Sequence, residues 1–208
     1  MTESSKAARD EAVKPGRRIR ADAQRNEDAV LEAAKEVFAA SGVDAPVREI
    51  AARAGVGVGT LYRRFPNRSD LVAAVFRREV DACAAEAAAL AAAHPPGEAL
   101  GLWLRRYTRF IATKKGLAAA LHSGDQVFDA LPAYFRAKFE PALAALLEAA
   151  AASGEIRDGV APYDLLRAVG NLSVASGEEG AQHTERMLEL MLDGLRYGAA
   201  GRRQTPGA

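Results

Sequence analysis

The sequence predicts an all-α protein of about nine helices, and three observations carry that reading. Alanine, the residue with the highest helix propensity, supplies 47 of 208 positions, about 23%. Leu, Arg and Glu, also good helix formers, fill most of the remaining periodic segments. No stretch alternates apolar and polar residues long enough to argue for a sheet. Hydrophobic residues at 49% and charged residues at 26% place the chain among globular proteins rather than disordered ones.

The elements follow in order. Residues 1–22 are polar, contain Pro15-Gly16 and read as a flexible basic arm. A helix then runs from about Asn26 to Ser41, with Val30, Ala34, Val37 and Phe38 on one face. Gly42 is placed to close it. A short helix from about Pro46 to Ala54 turns Val47, Ile50 and Ala51 inward, and Asp44 lies where an N-cap could sit. Gly55-Val56-Gly57 breaks it. A third helix covers about Val58 to Arg64, with Leu61 and Phe65 one turn apart, and Pro66 ends it. Asn67 or Ser69 can cap a fourth helix from Arg68 to about Ala92. Beyond it, helices are expected over about Pro96–Lys114, 116–123, 129–152 with a kink at Pro141, Pro162–Ser176 and Ala181–Ala199. Residues 201–208 read as a disordered tail.

Several classes of protein fall away. No 18-residue apolar, charge-free window exists, so no membrane span is expected. The first residues lack the apolar run of a secretory signal. Cys83 is the only cysteine, which rules out a disulfide framework and fits a reduced, cytoplasmic compartment; it reads as a buried small residue rather than a thiol sensor. His94, His122 and His183 show no ligand spacing, so neither metal nor other cofactor is expected. His122, Ser123 and Asp125 look like a polar helix end rather than a catalytic set, and no nucleophile–base constellation points to an enzyme.

The formal net charge is only +1, but its distribution is uneven. Residues 14–25 hold five basic residues against Asp22, and residues 53–69 hold Arg53, Arg63, Arg64 and Arg68 with no acid. That end of the chain suits a polyanion. The basic arm reads equally as a minor-groove contact or as a solvated tail. Residues 46–65, PVREIAARAGVGVGTLYRRF, have the layout of a helix-turn-helix: two short amphipathic helices joined by a glycine-containing turn. The second helix of such a unit enters the major groove, and its early residues meet base edges. With Leu61 and Phe65 turned inward, Val58, Gly59, Thr60, Tyr62, Arg63 and Arg64 can face outward. Their hydroxyls and guanidinium groups match phosphates and guanine edges. Gly55, Gly57 and Gly59 are not a nucleotide loop, because a helix rather than a strand precedes them.

AVLEAAKEVFAASG (29–42) followed by IAARAGVGVGTLYRRFPNRSDL (50–71) resembles the TetR/AcrR family of bacterial regulators over about 50 contiguous residues. The resemblance implies a DNA-binding domain over 23–78 and a helical ligand-binding and dimerisation domain over 79–200. It implies DNA contacts by Gly59, Thr60, Tyr62, Arg63 and Arg64 and a phosphate contact by Arg68; Arg48 and Val58 complete the candidate set. Gly57-Val58 stand where Ser and Lys are frequent, Arg64 replaces a frequent histidine, and Ala45-Pro46 replaces a common Ser or Thr. The operator is therefore this chain's own. Apolar pockets between bundle helices are where ligands bind, and Trp103, Tyr107, Phe110, Phe128 and Phe135 are the aromatic candidates for lining one. The stripes through Leu166, Val169 and Leu172 and through Leu188, Met191 and Leu195 are either intramolecular core or dimer interface; the family favours the interface. The expected function is a homodimeric, ligand-responsive repressor that binds double-stranded operator DNA and is released by a small-molecule effector. Two other readings stay open: a constitutive or architectural DNA-binding regulator without a ligand, and a helical small-molecule binder without DNA contact.

Overall fold

The computed structural model describes residues 15–121, 124–173 and 177–200. Among them are eight α-helices and one short 3-10 helix: α1 Pro15–Ser41, α2 Val47–Arg53, α3 Val58–Arg64, α4 Arg68–Ala93, α5 Pro96–Leu121, the 3-10 helix Gln126–Phe128, α6 Leu131–Ala152, α7 Pro162–Leu172 and α8 Gly177–Ala200. None of the helices is long and apolar enough to cross a membrane.

Three expectations are corrected. Helix α1 begins at Pro15, so positions 15–22 of the expected flexible arm are helical. Proline is tolerated in a first turn, and the Arg-, Ala- and Gln-rich sequence behind it has high helix propensity. Residues 1–14 and the expected tail 201–208 lie outside the described residues. The helices expected over 96–114 and 116–123 are one helix, α5. A single Gly116 costs only about 1 kcal/mol in a helix interior, too little to break one anchored by Leu100, Trp103, Leu104, Tyr107 and Phe110, all buried. Helix α8 starts at Gly177 rather than Ala181.

Helices α1–α3 enclose a small core of Val30, Ala34, Val37, Phe38, Ile50 and Leu61, completed by Leu71, Val72 and Val75 from α4. Gly42 (φ +77°) closes α1 as expected. Gly55 (φ +67°) ends α2 in a Schellman turn, with Val56 N–H donating to Ala51 O at 3.0 Å and Gly55 N–H to Ala52 O at 3.2 Å. Only glycine takes that conformation without strain. Pro46, not Asp44, sits at the start of α2, without a side-chain cap. Asn67 caps α4, and its backbone N–H donates to the Asp70 carboxylate at 3.2 Å.

Helices α4, α5 and α6 form the second layer, held by aromatic rings. Phe110 of α5 meets Phe139 of α6 edge-on at 5.1 Å and lies 5.7 Å from Phe76 of α4. Buried Glu79 of α4 binds Lys35 of α1 at 3.0 Å and lies 3.8 Å from Arg106 of α5, so one carboxylate ties the first layer to the second. Helices α7 and α8 cover α5. Leu166, Val169, Leu188 and Leu195 are buried within the single chain, and Leu172 and Met191 are half-buried at the edge of that stripe. The first four are therefore intramolecular core and not the dimer interface expected of them. The outer face of α5 is apolar, and the strongest stripes of α7 and α8 are spent covering it. What remains exposed on α8 is the neighbouring stripe, with Leu190 at 66% and Tyr197 at 83% exposure.

Candidate nucleic-acid interface and helical-domain cavity

Helix α3 divides sharply by side. Leu61 and Phe65 are 2% and 5% exposed and anchor it on the α1 and α4 core, whereas Val58 and Tyr62 are 40% and 48% exposed. Gly59, Arg63 and Arg64 are exposed on the outward face and Thr60 is half-exposed, with exposed Arg48 on the adjacent α2. A Cβ at Gly59 would meet nothing within 4 Å. No side chain caps α3, so its first N–H groups lack an intrahelical acceptor. The segment thus presents hydroxyls, guanidinium groups and open backbone together.

The arginines are not equivalent. Arg63 Nη2 donates to Thr60 Oγ1 at 3.0 Å, which aims its guanidinium along the exposed face. Arg64 donates twice to Glu27 of α1, at 2.8 and 2.7 Å, so its charge is partly neutralised. That hydrogen-bonded carboxylate also raises the Arg64 pKa above its ordinary value. Arg68 Nη1 donates to the carbonyls of Val43 and of Ala45, the latter at 2.8 Å. It clamps the loop before α2 to the start of α4, a role that sequence reasoning did not assign. Arg53 pairs with Glu36 at 2.7 Å.

In the second layer a cavity of about 570 Å³ opens between α4, α5, α6, α7 and the 3-10 helix. Tyr107, Phe128 and Phe135 line it, as expected. Trp103 and Phe110 do not. They face the α4–α6 core behind the wall, where Trp103 Nε1 donates to Cys83 O at 2.9 Å and Phe110 packs on Phe76 at 5.7 Å. Leu166, expected at a dimer interface, lines the cavity instead. Sequence reasoning missed Phe76, Tyr163, Arg136 and Arg167. The signal lay in Tyr163 and Arg167 one turn apart on α7, and in Arg136 directly after an expected lining residue.

The cavity wall reaches the first turn of α4, close in sequence to α3. Asp125 caps the 3-10 helix that holds Phe128, accepting from Val127 N–H at 3.1 Å, and also accepts from Ser69 Oγ of the first turn of α4 at 2.5 Å. The Ser69 hydrogen bond, and then that of Val127, keep the Asp125 carboxyl below its ordinary pKa. His122 and Ser123 lie outside the described residues.

Two stretches of the chain match profiles of known proteins. Residues 30–75 match the profile of bacterial regulatory proteins of the tetR family, and residues 95–197 match the C-terminal domain of SbtR-like transcriptional regulators. A crystal structure of a TetR transcriptional regulator from Streptomyces coelicolor is 40% identical, with a TM-score of 0.72 over 81% of this chain and 97% of that one. A TetR regulatory protein from Mycobacterium vanbaalenii is 39% identical, with a TM-score of 0.69 over 86% of this chain and 99% of that one. HTH-type transcriptional regulators of Staphylococcus aureus are 39% identical over 64 residues, which is 30% of this chain; the match spans only 35% of those curated relatives.

Proposed function

Because the chain belongs to the TetR family of bacterial transcriptional regulators, we propose that it is a homodimeric repressor that a small molecule releases from a palindromic operator. The observation that carries the DNA-binding half is α3, which exposes Tyr62 and Arg63 on a helix anchored by buried Leu61 and Phe65. Short amphipathic helices mounted this way lie in the major groove, and two of them about 34 Å apart across a two-fold axis meet consecutive half-sites. The exposed apolar stripe of α8 through Leu190 and Tyr197 supports the dimer. The lone buried cysteine suits a reducing cytoplasm.

The cavity supports a ligand-responsive reading over a constitutive one. An effector there would press on Phe128, and the short helix carrying Phe128 is tied through Asp125 to Ser69 at the start of α4. Helix α4 follows α3 after only Phe65-Pro66-Asn67, so a shift at its first turn tilts the DNA-reading helix. A coupling of about 1–3 kcal/mol suffices for a 5–150-fold change in operator affinity.

Selection of genomic fragments by the purified protein tests the reading, followed by fluorescence anisotropy on the recovered site. The selected fragments are expected to share a palindrome. Arg63→Ala is expected to weaken binding by about 1–3 kcal/mol if Arg63 reads a guanine. Unchanged affinity in an Arg63→Ala, Arg64→Ala double variant removes α3 as the reading element.

A further inference from the structure

The lining of the second-layer cavity is chemically lopsided. Its floor is apolar and aromatic, from Phe76, Phe128, Leu131 and Phe135. Its charged groups are Arg136 and Arg167, and no Asp or Glu lines it among the described residues. Both guanidinium groups lie against the Tyr163 ring, at 4.4 and 5.9 Å from its centroid. The ring therefore holds both cations at the same end of the cavity without neutralising either. Arg136 gives its Nε to Glu140 at 2.6 Å, which leaves its terminal N–H groups for a ligand. Arg167 is exposed and rests against the Tyr163 ring.

From this arrangement we infer that the cavity selects an amphipathic organic anion, with an apolar body on the Phe76–Phe128–Phe135 floor and an acidic head held by Arg136 and Arg167. Paired guanidinium groups suit planar or tetrahedral oxyanions because each can present two N–H donors side by side. A neutral body of the same shape would fill the floor but leave the Arg167 charge and the terminal N–H groups of Arg136 without a ligand partner. A cationic one would meet direct repulsion. The inference rests on the reading of this cavity as the effector site.

Two fluorescent probes test it on the full-length protein: anilinonaphthalene sulfonate, and phenylnaphthylamine, which has the same aromatic body without the sulfonate. The sulfonate is expected to bind one per protomer and at least about tenfold more tightly, the scale of one charge-assisted hydrogen bond. Arg167→Ala combined with Arg136→Ala is expected to abolish that preference while leaving phenylnaphthylamine binding and the thermal unfolding midpoint unchanged. Arg167→Lys, which keeps the charge, is expected to retain part of it. Equal binding of the two probes, or an unaltered preference in the double alanine variant, overturns the inference. Release of the selected operator fragment is read in parallel. If phenylnaphthylamine binds and releases DNA as well as the sulfonate does, effector control stands without anion selection. If neither probe binds nor releases DNA, both readings fail.

Discussion

Leu61 and Tyr62 are neighbours in sequence, yet Leu61 is buried and Tyr62 exposed, and the interface depends on that difference. A helix rotates about 100° per residue, so seating α3 by Leu61 and Phe65, one turn apart, leaves Tyr62, Arg63 and Arg64 between them exposed. The same arithmetic does not say where a long side chain goes. Arg64 is exposed, yet it reaches back to Glu27, while Arg63 leans on Thr60 and stays directed outward. A partner 37 residues away decided the case of Arg64, and one a single turn away that of Arg63. Cys83 is a simpler matter: it is fully buried, and loss of solvent pushes its thiol up to about 12. A thiol with so high a pKa is neutral at pH 8, and the neutral form is not the nucleophile. A disulfide reagent at pH 8 is therefore expected to leave the native protein unmodified and to titrate one thiol per chain in denaturant. Rapid reaction of the native chain would restore the thiol-sensor reading.

Element boundaries show where local preference yields to packing. The sequence predicts one helix to about Lys114 and another over 116–123, but α5 runs through the junction because the preceding turns are locked into the aromatic core. Helix α1 extends to Pro15 because nothing in that stretch opposes a helix strongly enough to stop it. Between elements, Glu79 is the joint. It lies buried on α4, paired with Lys35 of α1 and near Arg106 of α5, and Arg106 in turn binds Glu86 at 2.8 Å. Removal of one partner from a buried ion cluster strands the others and costs about 3–5 kcal/mol. With Lys35 a third exposed, Glu79→Ala is expected to cost about 3 kcal/mol, the low end of that range. It is read as a lower urea midpoint with an unchanged m-value. A change below about 0.5 kcal/mol, the level of an ordinary surface substitution, would show that the cluster does not hold the layers together.

At the scale of the whole molecule, the question is which apolar surface is left for a second copy. The stripe through Leu166, Val169, Leu188 and Leu195 is consumed inside the chain, and Leu190 and Tyr197 are what α8 still offers to solvent. Exposed large apolar groups clustered on one helix face mark an interaction surface. Leu190→Asp combined with Tyr197→Asp is expected to halve the mass measured by light scattering and to weaken operator binding more than tenfold, since a monomer holds one half-site. An unchanged mass would move the interface off α8.

The all-helical class, the helix-turn-helix and the outward face of α3 were legible in the amino-acid order. Each depends on spacing within one or two turns, and such spacing acts before the chain has any tertiary neighbours. Membership of the cavity wall was only partly legible. Tyr107 and Trp103 sit one turn apart on α5, but only Tyr107 meets the open space that α6 and α7 leave between them. The same holds for the apolar stripes of α7 and α8. A stripe states that a face must be covered, and only the packed molecule decides whether its own chain or a second copy covers it, because the hydrophobic effect has no direction and rewards either burial equally.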